Sequence, residues 1–349
     1  MSDDQLVTII CPSYGHERFI GDALGSFVSQ SHHNLEILVI NDKSPDDSRR
    51  IIKENKDRRI RLIENGYNMG TSNSINKAVR EARGSVICIC SSDDIMRPDH
   101  VSHVVEEFRK DTSIGAVYPR LEYIDERNNN TGFAEYGTSE RYSLLWEMFF
   151  EGNNSLHAPG SAFLKETLGT VGFFNPGLIQ TQDYDYNVRT LLKHNVAIIP
   201  DYTIRYRRMS NHTNLSGGAS WVSRAYGNEY GTVLDNYLSI DSVELFEGVF
   251  QKEDLVFRPL KTREIPFCVA MSAIRSSNSG LVIWGFMKIK QIISESGNWD
   301  YLHDIYGFSY KDFIALYIEK YPRGNDTTFM KSLLKKNIER LRRIIISIK

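Results

Sequence analysis

The hydrophobic pattern divides this chain into two parts. In the first ninety residues, four short apolar runs are each followed by a polar turn, and residues with helical spacing separate them. These runs cover residues 6–11, 35–40, 60–63 and 86–90. Apolar runs of this length are typical of strands buried on both faces. Strands that alternate with helices predict a parallel sheet with right-handed crossovers.

The pattern changes farther along the chain. Shorter runs predict strands at 114–118, 196–199 and 203–206, helices at 142–150 and from 182 to about 194, and a turn or exposed loop at 127–132. Beyond residue 219 the helical spacing covers 219–239, 263–277, 281–296, 300–320 and 327–349. The sequence therefore predicts an α/β domain over 1–218, followed by a helical C-terminal domain or extension over 219–349.

Composition adds limits to this picture. A chain of 349 residues with 41% hydrophobic and 25% charged residues is an ordinary globular protein, long enough for more than one domain. The net charge of −2 argues against a nucleic-acid partner. Four cysteines without metal-ligand spacing predict buried free thiols in a reducing cytoplasm. We expect a cytoplasmic protein, because neither a signal peptide nor an apolar stretch of about 20 residues is present.

Two adjacent carboxylates, Asp93 and Asp94, follow the fourth predicted strand directly. Like charges at the edge of a buried strand are unfavourable unless a cation or hydrogen-bond donors compensate them. Pro98 suits the first turn of the next helix, which places the acids in a crevice at the carboxyl ends of the strands. A second interpretation is that both acids only cap that helix.

The other strand ends carry polar residues as well, namely Ser13-Tyr14 and Asn41-Asp42. We expect them to lie on the same edge of the sheet as Asp93 and Asp94. The chain contains neither the glycine-rich dinucleotide motif nor a P-loop. A diphosphate bound at this edge would therefore need Mg²⁺ or Mn²⁺, which take carboxylate and phosphate oxygens.

A second group of acids, Asp183 and Asp185, stands in the first turn of the helix predicted after Thr181. Thr181 is a suitable N-cap residue. The acids are either functional or serve only to satisfy the helix N-terminus, and the sequence leaves both interpretations open.

The last predicted helix, 327–349, has an apolar stripe and seven basic residues from Lys331 to Lys349, opposed only by Glu339. One interpretation is that this helix lies on an anionic membrane surface. The other is that it packs on the domain and exposes its basic face to water.

Six motifs in sequence order resemble the family 2 glycosyltransferases with the GT-A fold, over residues 6 to about 210. They are Pro12-Ser13-Tyr14, Asn41-Asp42-Lys43-Ser44, Asn68-x-Gly70, Ile75-Asn76-x-Ala78 with Ala82-x-Gly84, Ser92-Asp93-Asp94 with Pro98, and Gln182-Asp183. Each motif is weak alone, and their order and spacing make the combination specific. The resemblance does not extend to the helical remainder.

The resemblance implies a nucleotide-sugar donor site and assigns residues to it. The donor-binding residues would be Pro12, Ser13, Tyr14, Asp42, Asn68, Gly70, Asn76 and Asp93, and the ligands of Mn²⁺ or Mg²⁺ would be Asp94, Asp93 and His212. Tyr14 would stack on the base, Asp42 would accept a hydrogen bond from it, and Asp93 would contact the ribose. Asp183 would be the catalytic base of an inverting transfer.

Several of these assignments have alternatives. His212 is otherwise a solvated loop histidine, and Arg205, Arg207 and Arg208 are weaker diphosphate candidates. Ile75 stands where the family commonly has Arg, Gln182 where it usually has Glu, and Lys43 where it often has Gly. These departures motivate a second hypothesis, a catalytically impaired nucleotide-sugar-binding or scaffolding protein. A nucleotidyltransferase, the third hypothesis, lacks its expected basic glycine-rich loop.

The leading hypothesis is an inverting, metal-dependent glycosyltransferase. Its expected donor is a UDP-sugar, and its expected acceptor is a hydroxyl of a glycan or lipid-linked oligosaccharide in bacterial surface polysaccharide synthesis. We expect a hexosyl- or N-acetylhexosaminyl-transferase with no nucleic-acid partner. Peripheral contact with the inner face of the membrane and a homo-oligomer are left open.

Overall fold

The structure, a computed structural model, describes residues 5–209, 220–251, 253 and 255–320. It separates into two compact units, Met1–Asn236 and Tyr237–Lys349. The helix at 220–235 falls in the first unit, whereas the sequence places it in the C-terminal region. The predicted boundary at residues 218 and 219 stays a prediction.

Nine strands form one mixed sheet in the described part of the first unit. They are β1 Val7–Ser13, β2 Leu35–Asn41, β3 Ile60–Glu64, β4 Val86–Ile89, β5 Ile95–Met96, β6 Ile114–Ile124, β7 Asn130–Phe133, β8 Ala162–Leu164 and β9 Asn195–Arg207. Their order across the sheet is β3-β2-β1-β4-β8-β6-β9-β5, and β7 pairs with β6. The first four strands are parallel, as predicted, and β8 begins the antiparallel part by pairing with both β4 and β6.

The described part of the first unit contains eight α-helices, of which the first seven connect these strands and the last follows β9. They are α1 Ile20–Val28, α2 Ser48–Glu54, α3 Thr71–Glu81, α4 His100–Lys110, α5 Arg141–Phe150, α6 Leu168–Val171, α7 Gln182–Lys193 and α8 Ser220–Asp235, with a 3₁₀ turn at Lys165–Thr167. Strands β1, β2 and β4 are buried along nearly their whole length, which explains their continuous apolar runs. The Ala82-x-Gly84 motif has a packing reason, because a Cβ at Gly84 would lie 2.7 Å from the Thr8 backbone nitrogen.

Several details differ from the sequence prediction. The exposed turn predicted at 127–132 contains the start of β7, and the short strands β5 and β8 were not predicted. The two strands predicted at 196–199 and 203–206 are one strand, β9. Its register against β6 shifts between Tyr118 and Arg120, so the polar interruption in the sequence marks an irregularity within a continuous strand.

The second unit is helical in the part that the structure describes. Its helices are α9 Val243–Phe250, α10 Ile265–Arg275, α11 Ser279–Ser294, α12 Asn298–Tyr306 and α13 Tyr310–Lys320, with 3₁₀ turns at Asn236–Ser239 and Thr262–Glu264. The helix predicted at 300–320 is interrupted at Gly307, which has a φ of 62° and follows the last residue of α12. The predicted basic helix at 327–349 lies outside the described residues.

Two further expectations concern thiols and membranes. Cys11, Cys88, Cys90 and Cys268 are all buried and free, as predicted. Across the described ranges, no helix combines the length and apolar character that crossing a bilayer requires.

Candidate active site

The carboxyl ends of the parallel strands bring three predicted segments to one edge of the sheet. Ser13, the last residue of β1, is paired in register with Asn41 at the end of β2. On the other side of β1, Ile10 is paired with Ile89, the last residue of β4 before the acid pair. The loops that carry Tyr14, Asp42 and Asp93 therefore leave neighbouring strands, as the sequence predicts.

Asp42 organises the loop that follows β3. One of its carboxylate oxygens accepts hydrogen bonds from the Asn65 amide and the Met69 N–H, both at 2.8 Å, and the other accepts from the Gly70 N–H at 2.9 Å. Asn68 also accepts from the Gly70 N–H, at 3.1 Å. Because Gly70 has a φ of 80°, glycine suits this position. Asp42 thus fixes the shape of the Asn68-x-Gly70 segment.

The remaining predicted donor residues differ in what they contact. Tyr14 is 47% exposed and accessible to a ligand, whereas Ser13 is buried. The Asn76 side chain is also buried, and its amide exchanges two hydrogen bonds, at 2.8 and 3.0 Å, with the backbone of Phe174. That reciprocal pair joins α3 to the segment before α7 and gives Asn76 a structural contact of its own.

The acid pair does not cap the following helix. Strand β5 intervenes between Asp94 and α4, which begins at His100 with Asp99 in the N-cap position. The capping interpretation of Asp93 and Asp94 is therefore wrong. Both carboxylates are buried at the end of β4, so another partner must compensate their charge.

Arg207 supplies part of that compensation. Its backbone N–H donates to Asp94 Oδ1 at 2.9 Å, and its Nε donates to the carbonyl of Asp93 at 2.8 Å. The guanidinium is fully buried, lies 4.4 Å from the centre of the Phe19 ring, and donates to the carbonyl of Asp125 at 2.7 Å. Of the three arginines proposed for the diphosphate, Arg207 is thus turned into the protein, against the acid pair.

The second carboxylate oxygen of Asp94, Oδ2, bears on whether a cation could bind at this edge. Asp94 Oδ2 is buried and has no hydrogen-bond partner among the described residues, while His16 Nδ1 lies 3.6 Å from Asp93 Oδ1. Burial raises the pKa of Asp93, and burial together with the charge of Asp93 raises the pKa of Asp94 well above its usual range. A divalent cation would reverse both effects, because it favours the ionised carboxylates.

The residues at this edge fit a hard cation in part. Two carboxylates, one with an unused buried oxygen, are the ligand type that Mg²⁺ and Mn²⁺ prefer. Among the described residues, no group of three His, Cys, Asp or Glu side chains could enclose a metal. The other ligands would have to be a bound diphosphate and water. His212, the third predicted ligand, lies outside the described residues.

Asp183 lies in the first turn of α7 and is half-buried. Its Oδ1 accepts from the Tyr184 N–H at 2.8 Å, and its Oδ2 accepts from the Asn154 amide at 3.2 Å. Asn154 is held in turn by Asn187, which accepts a hydrogen bond from the Tyr118 hydroxyl. Burial raises the pKa of Asp183 to about 6.

Asp185, by contrast, is structural. It is buried, pairs with Arg189 at 2.6 Å and accepts a hydrogen bond from Asn236 at 2.9 Å. Thr181 occupies the N-cap position of α7, yet its side chain makes no capping hydrogen bond. The two acids of this helix thus have different surroundings.

Residues 154–160 link the two acid groups. Asn154, at one end, contacts Asp183. Gly160, at the other end, donates its N–H to the carbonyl of Ile89 at 2.6 Å, four residues before Asp93. His100 also binds the Gly160 carbonyl, at 2.9 Å. The sequence shows none of these links, since Asn154 and Gly160 carry no motif and lie far from their partners along the chain.

Comparison with known proteins is consistent with this geometry. Residues 8–167 match the family model described as glycosyl transferase family 2. An uncharacterized glycosyltransferase of Haemophilus influenzae is 27% identical over 226 residues, which cover 61% of this chain and 69% of that protein. The UDP-Glc:alpha-D-GlcNAc-diphosphoundecaprenol beta-1,3-glucosyltransferase of Escherichia coli is 36% identical over 129 residues, which cover 37% of this chain and about half, 49%, of that enzyme.

A solved structure extends the similarity beyond the matched domain. The S. aureus TarS fragment 1–349, in complex with UDP-GlcNAc, has a TM-score of 0.56 and 14% identity, and the match covers 91% of this chain and 93% of that one. At this identity the similarity shows the fold. The family model and the relatives confirm the resemblance noted in the sequence: residues 8–167 form a family 2 glycosyltransferase domain, and the fold is of the GT-A type.

Proposed function

We propose that this chain is an inverting glycosyltransferase that moves a hexosyl or N-acetylhexosaminyl group from a UDP-sugar to a hydroxyl of a glycan or lipid-linked acceptor. The observation that carries the proposal is the presence of two acid groups in different environments, linked by residues 154–160. Asp93 and Asp94 are buried at a sheet edge, and Asp183 is half-buried in the first turn of a helix. Acid groups in such different environments suit two different tasks, binding of the nucleotide-sugar donor and removal of a proton by a base.

On the donor side, the strand ends provide a surface for the nucleotide and a place for its charge. Tyr14 offers an exposed ring for stacking on the base, and Asp42 shapes the neighbouring loop. Asp94 Oδ2 and Asp93 would hold Mn²⁺ or Mg²⁺. When bound, such an ion neutralises the diphosphate as a Lewis acid. Arg207 keeps the acid pair in place by binding its backbone and one oxygen of Asp94.

On the acceptor side, Asp183 has the properties of a general base. With a pKa of about 6, the carboxylate is ionised at neutral pH and still basic enough to accept a proton from an attacking hydroxyl. Its contacts with Tyr184 and Asn154 orient it without neutralising it. An acceptor held against Asp183 would attack the anomeric carbon on the face opposite the diphosphate, which inverts the configuration.

Similar proteins support the choice of substrates. The Escherichia coli relative is named for a UDP-Glc donor and an alpha-D-GlcNAc-diphosphoundecaprenol acceptor, and the TarS complex holds UDP-GlcNAc. We therefore propose a role in bacterial surface polysaccharide synthesis on the cytoplasmic side of the membrane. The predicted basic helix at 327–349 would provide peripheral contact. Its deletion should then release the protein from membranes, and unchanged partitioning would contradict this role.

The proposal is tested by a thermal-shift screen of UDP-sugars with and without Mn²⁺, followed by a transfer assay with the best donor. A donor at 100 times its Kd should stabilise the protein by about 2.7 kcal/mol. Asp94→Asn should lose the Mn²⁺-dependent part of the shift. Asp99→Asn, which changes an exposed carboxylate nearby, should keep it.

The outcomes separate the hypotheses. Donor binding without transfer to any acceptor and without slow hydrolysis would favour the catalytically impaired binding protein that Ile75 and Gln182 suggest. An Asp94→Asn variant whose Mn²⁺-dependent shift equals that of the wild-type protein would contradict the metal site. Absence of stabilisation by every UDP-sugar would contradict the donor class.

A further inference from the structure

The side chain of Glu229, on helix α8, contacts the backbone just before α7, the helix that carries Asp183. Glu229 Oε1 accepts a hydrogen bond from the Ile179 N–H at 2.9 Å. Its Oε2 accepts from the Gln180 N–H at 2.9 Å, the Thr181 N–H at 3.0 Å and the Thr181 hydroxyl at 3.0 Å. One side chain, 48 to 50 residues away in sequence, thus binds three consecutive N–H groups just before Gln182 and Asp183.

These contacts explain a feature of α7. Thr181 is a residue type that normally caps a helix with its hydroxyl, but here the hydroxyl donates to Glu229 instead. The carboxylate of Glu229, which lies outside α7, therefore binds the segment at the start of this helix. A negative charge is favourable there, because the helix dipole and the N–H groups that have no partner within the helix both attract it.

The same turn of α8 also fixes the chain that precedes Asn154. The Tyr226 hydroxyl donates to the carbonyl of Gly152 at 2.5 Å, and the Tyr230 hydroxyl donates to the carbonyl of Phe149 at 3.0 Å. Since Asn154 is the side chain that binds Asp183 Oδ2, α8 restrains the surroundings of Asp183 from two directions.

We propose that Glu229 is a positioning residue for Asp183, and this inference rests on the proposed function of Asp183 as the base. Glu229 holds residues 179–181 in one conformation, which sets where α7 begins and where the Asp183 carboxylate points. Among the described residues, the side chains assigned to the nucleotide sugar lie at the strand ends, whereas the hydrogen bonds of Glu229 go to residues 179–181. Its effect should therefore fall on the transfer step.

Removing the Glu229 carboxylate should therefore change kcat rather than the KM for the nucleotide-sugar donor. Without the carboxylate, the N–H groups of 179–181 become hydrated, and the segment loosens while the sheet stays folded. A displacement of the base by about 1 Å costs up to about a hundredfold in rate. We expect Glu229→Ala to lower kcat by about ten- to a hundredfold, with the KM for the donor changed by less than about twofold.

The experiment compares Glu229→Ala and Glu229→Gln with Asn228→Ala, a control at an exposed neighbouring position on α8. Glutamine retains one oxygen acceptor, so Glu229→Gln should recover part of kcat. Hydrogen exchange followed by mass spectrometry gives a readout independent of catalysis. Amides at 179–181 should exchange at least about tenfold faster in Glu229→Ala than in the control, because their hydrogen-bond partner is gone.

The result is decisive in either direction. A lower kcat with an unchanged donor KM and faster exchange at 179–181 supports the proposal. Wild-type kcat in Glu229→Ala, or exchange at 179–181 equal to that of the control, overturns it. If the wild-type chain itself transfers no sugar, the proposed function fails, and the exchange measurement still reports on whether Glu229 holds this segment.

Discussion

Replacing Asp183 with Asn changes two properties that the structure links, turnover and the pH dependence of stability. The variant cannot accept a proton, so kcat/KM should fall by about 10²- to 10⁴-fold, the usual contribution of a general base. Donor binding should be unchanged, since Asp183 lies on a different element from the strand ends. In the wild-type protein, kcat/KM should decrease below a pH of about 6, as the base becomes protonated.

The magnitude for stability follows from the raised pKa. The difference between the ordinary 3.8 and about 6 corresponds to about 3 kcal/mol of unfavourable burial of the ionised form. Asp183 is partly exposed to water, so we discount this to about 1–2 kcal/mol. In Asp183→Asn this cost disappears, but an amide NH₂ would face the Asn154 NH₂ group, which costs about 1 kcal/mol. At pH 7.5 the variant should be equal to or slightly more stable than the wild type.

As the pH falls, the difference in stability between the variant and the wild-type protein changes sign. A carboxyl group with a raised pKa in the folded state binds a proton on folding between pH 6 and pH 4, so the wild-type protein gains stability in this window as the pH decreases. The neutral Asn side chain of the variant takes up no proton, so the variant does not gain this stability. The stability of the variant relative to the wild type should therefore drop by about 1–2 kcal/mol between pH 7.5 and pH 4.5.

The assay is urea unfolding at several pH values, read from the transition of the first unit, together with transfer kinetics. Glu135→Gln, which changes an exposed carboxylate in the segment after β7, serves as the control and should show no such pH dependence relative to the wild type. A pH-independent difference between Asp183→Asn and the wild type would refute the burial argument. Full turnover in the variant would refute the role of Asp183 as base.

Three further changes test other parts of the site. Asp94→Asn should raise the Mn²⁺ concentration needed for half-maximal activity by at least about tenfold, measured by metal titration, because it removes the buried oxygen that lacks a partner. Lys43 has a φ of 61°, so Lys43→Val should lower the free energy of unfolding by about 1–2 kcal/mol and Lys43→Gly should not, as measured in urea. Gly160→Ala should cost about 2–4 kcal/mol in the same measurement, because φ is 76° and the added Cβ would lie 2.4 Å from Ile204 Cγ1.

The parallel part of the sheet was predictable because its strands are buried on both faces. Such strands appear as continuous apolar runs, and the polar residues that follow them must emerge at one edge. The pairing of Ser13 with Asn41 follows from that rule. The two-residue strand β5 could not be predicted in the same way, because its existence depends on β9, more than a hundred residues away.

The environment of each acid was harder to predict than its position. The spacing of Asp183 and Asp185 makes them look equivalent, yet one is held by Asn154 and the other by Arg189. The partners that decide this difference come from elements distant in sequence, as do Arg207 for the acid pair and Glu229 for α7. Local pattern identifies the residues that can carry chemistry, and tertiary contacts decide which of them do.

The first unit supports each acid group in a different way. At the sheet edge, Arg207 satisfies one oxygen of Asp94 and leaves the other buried without a partner among the described residues, and this second oxygen is the atom that the proposed cation would contact. Asp183 is instead held by two donors, and burial keeps its pKa near 6. A carboxylate whose oxygens accept hydrogen bonds at every available position would be a weak base. A carboxylate without restraining contacts would not be held in the orientation needed to accept a proton. The donors from Tyr184 and Asn154, with Glu229 fixing the preceding backbone, restrain the carboxylate while leaving it basic enough to take a proton.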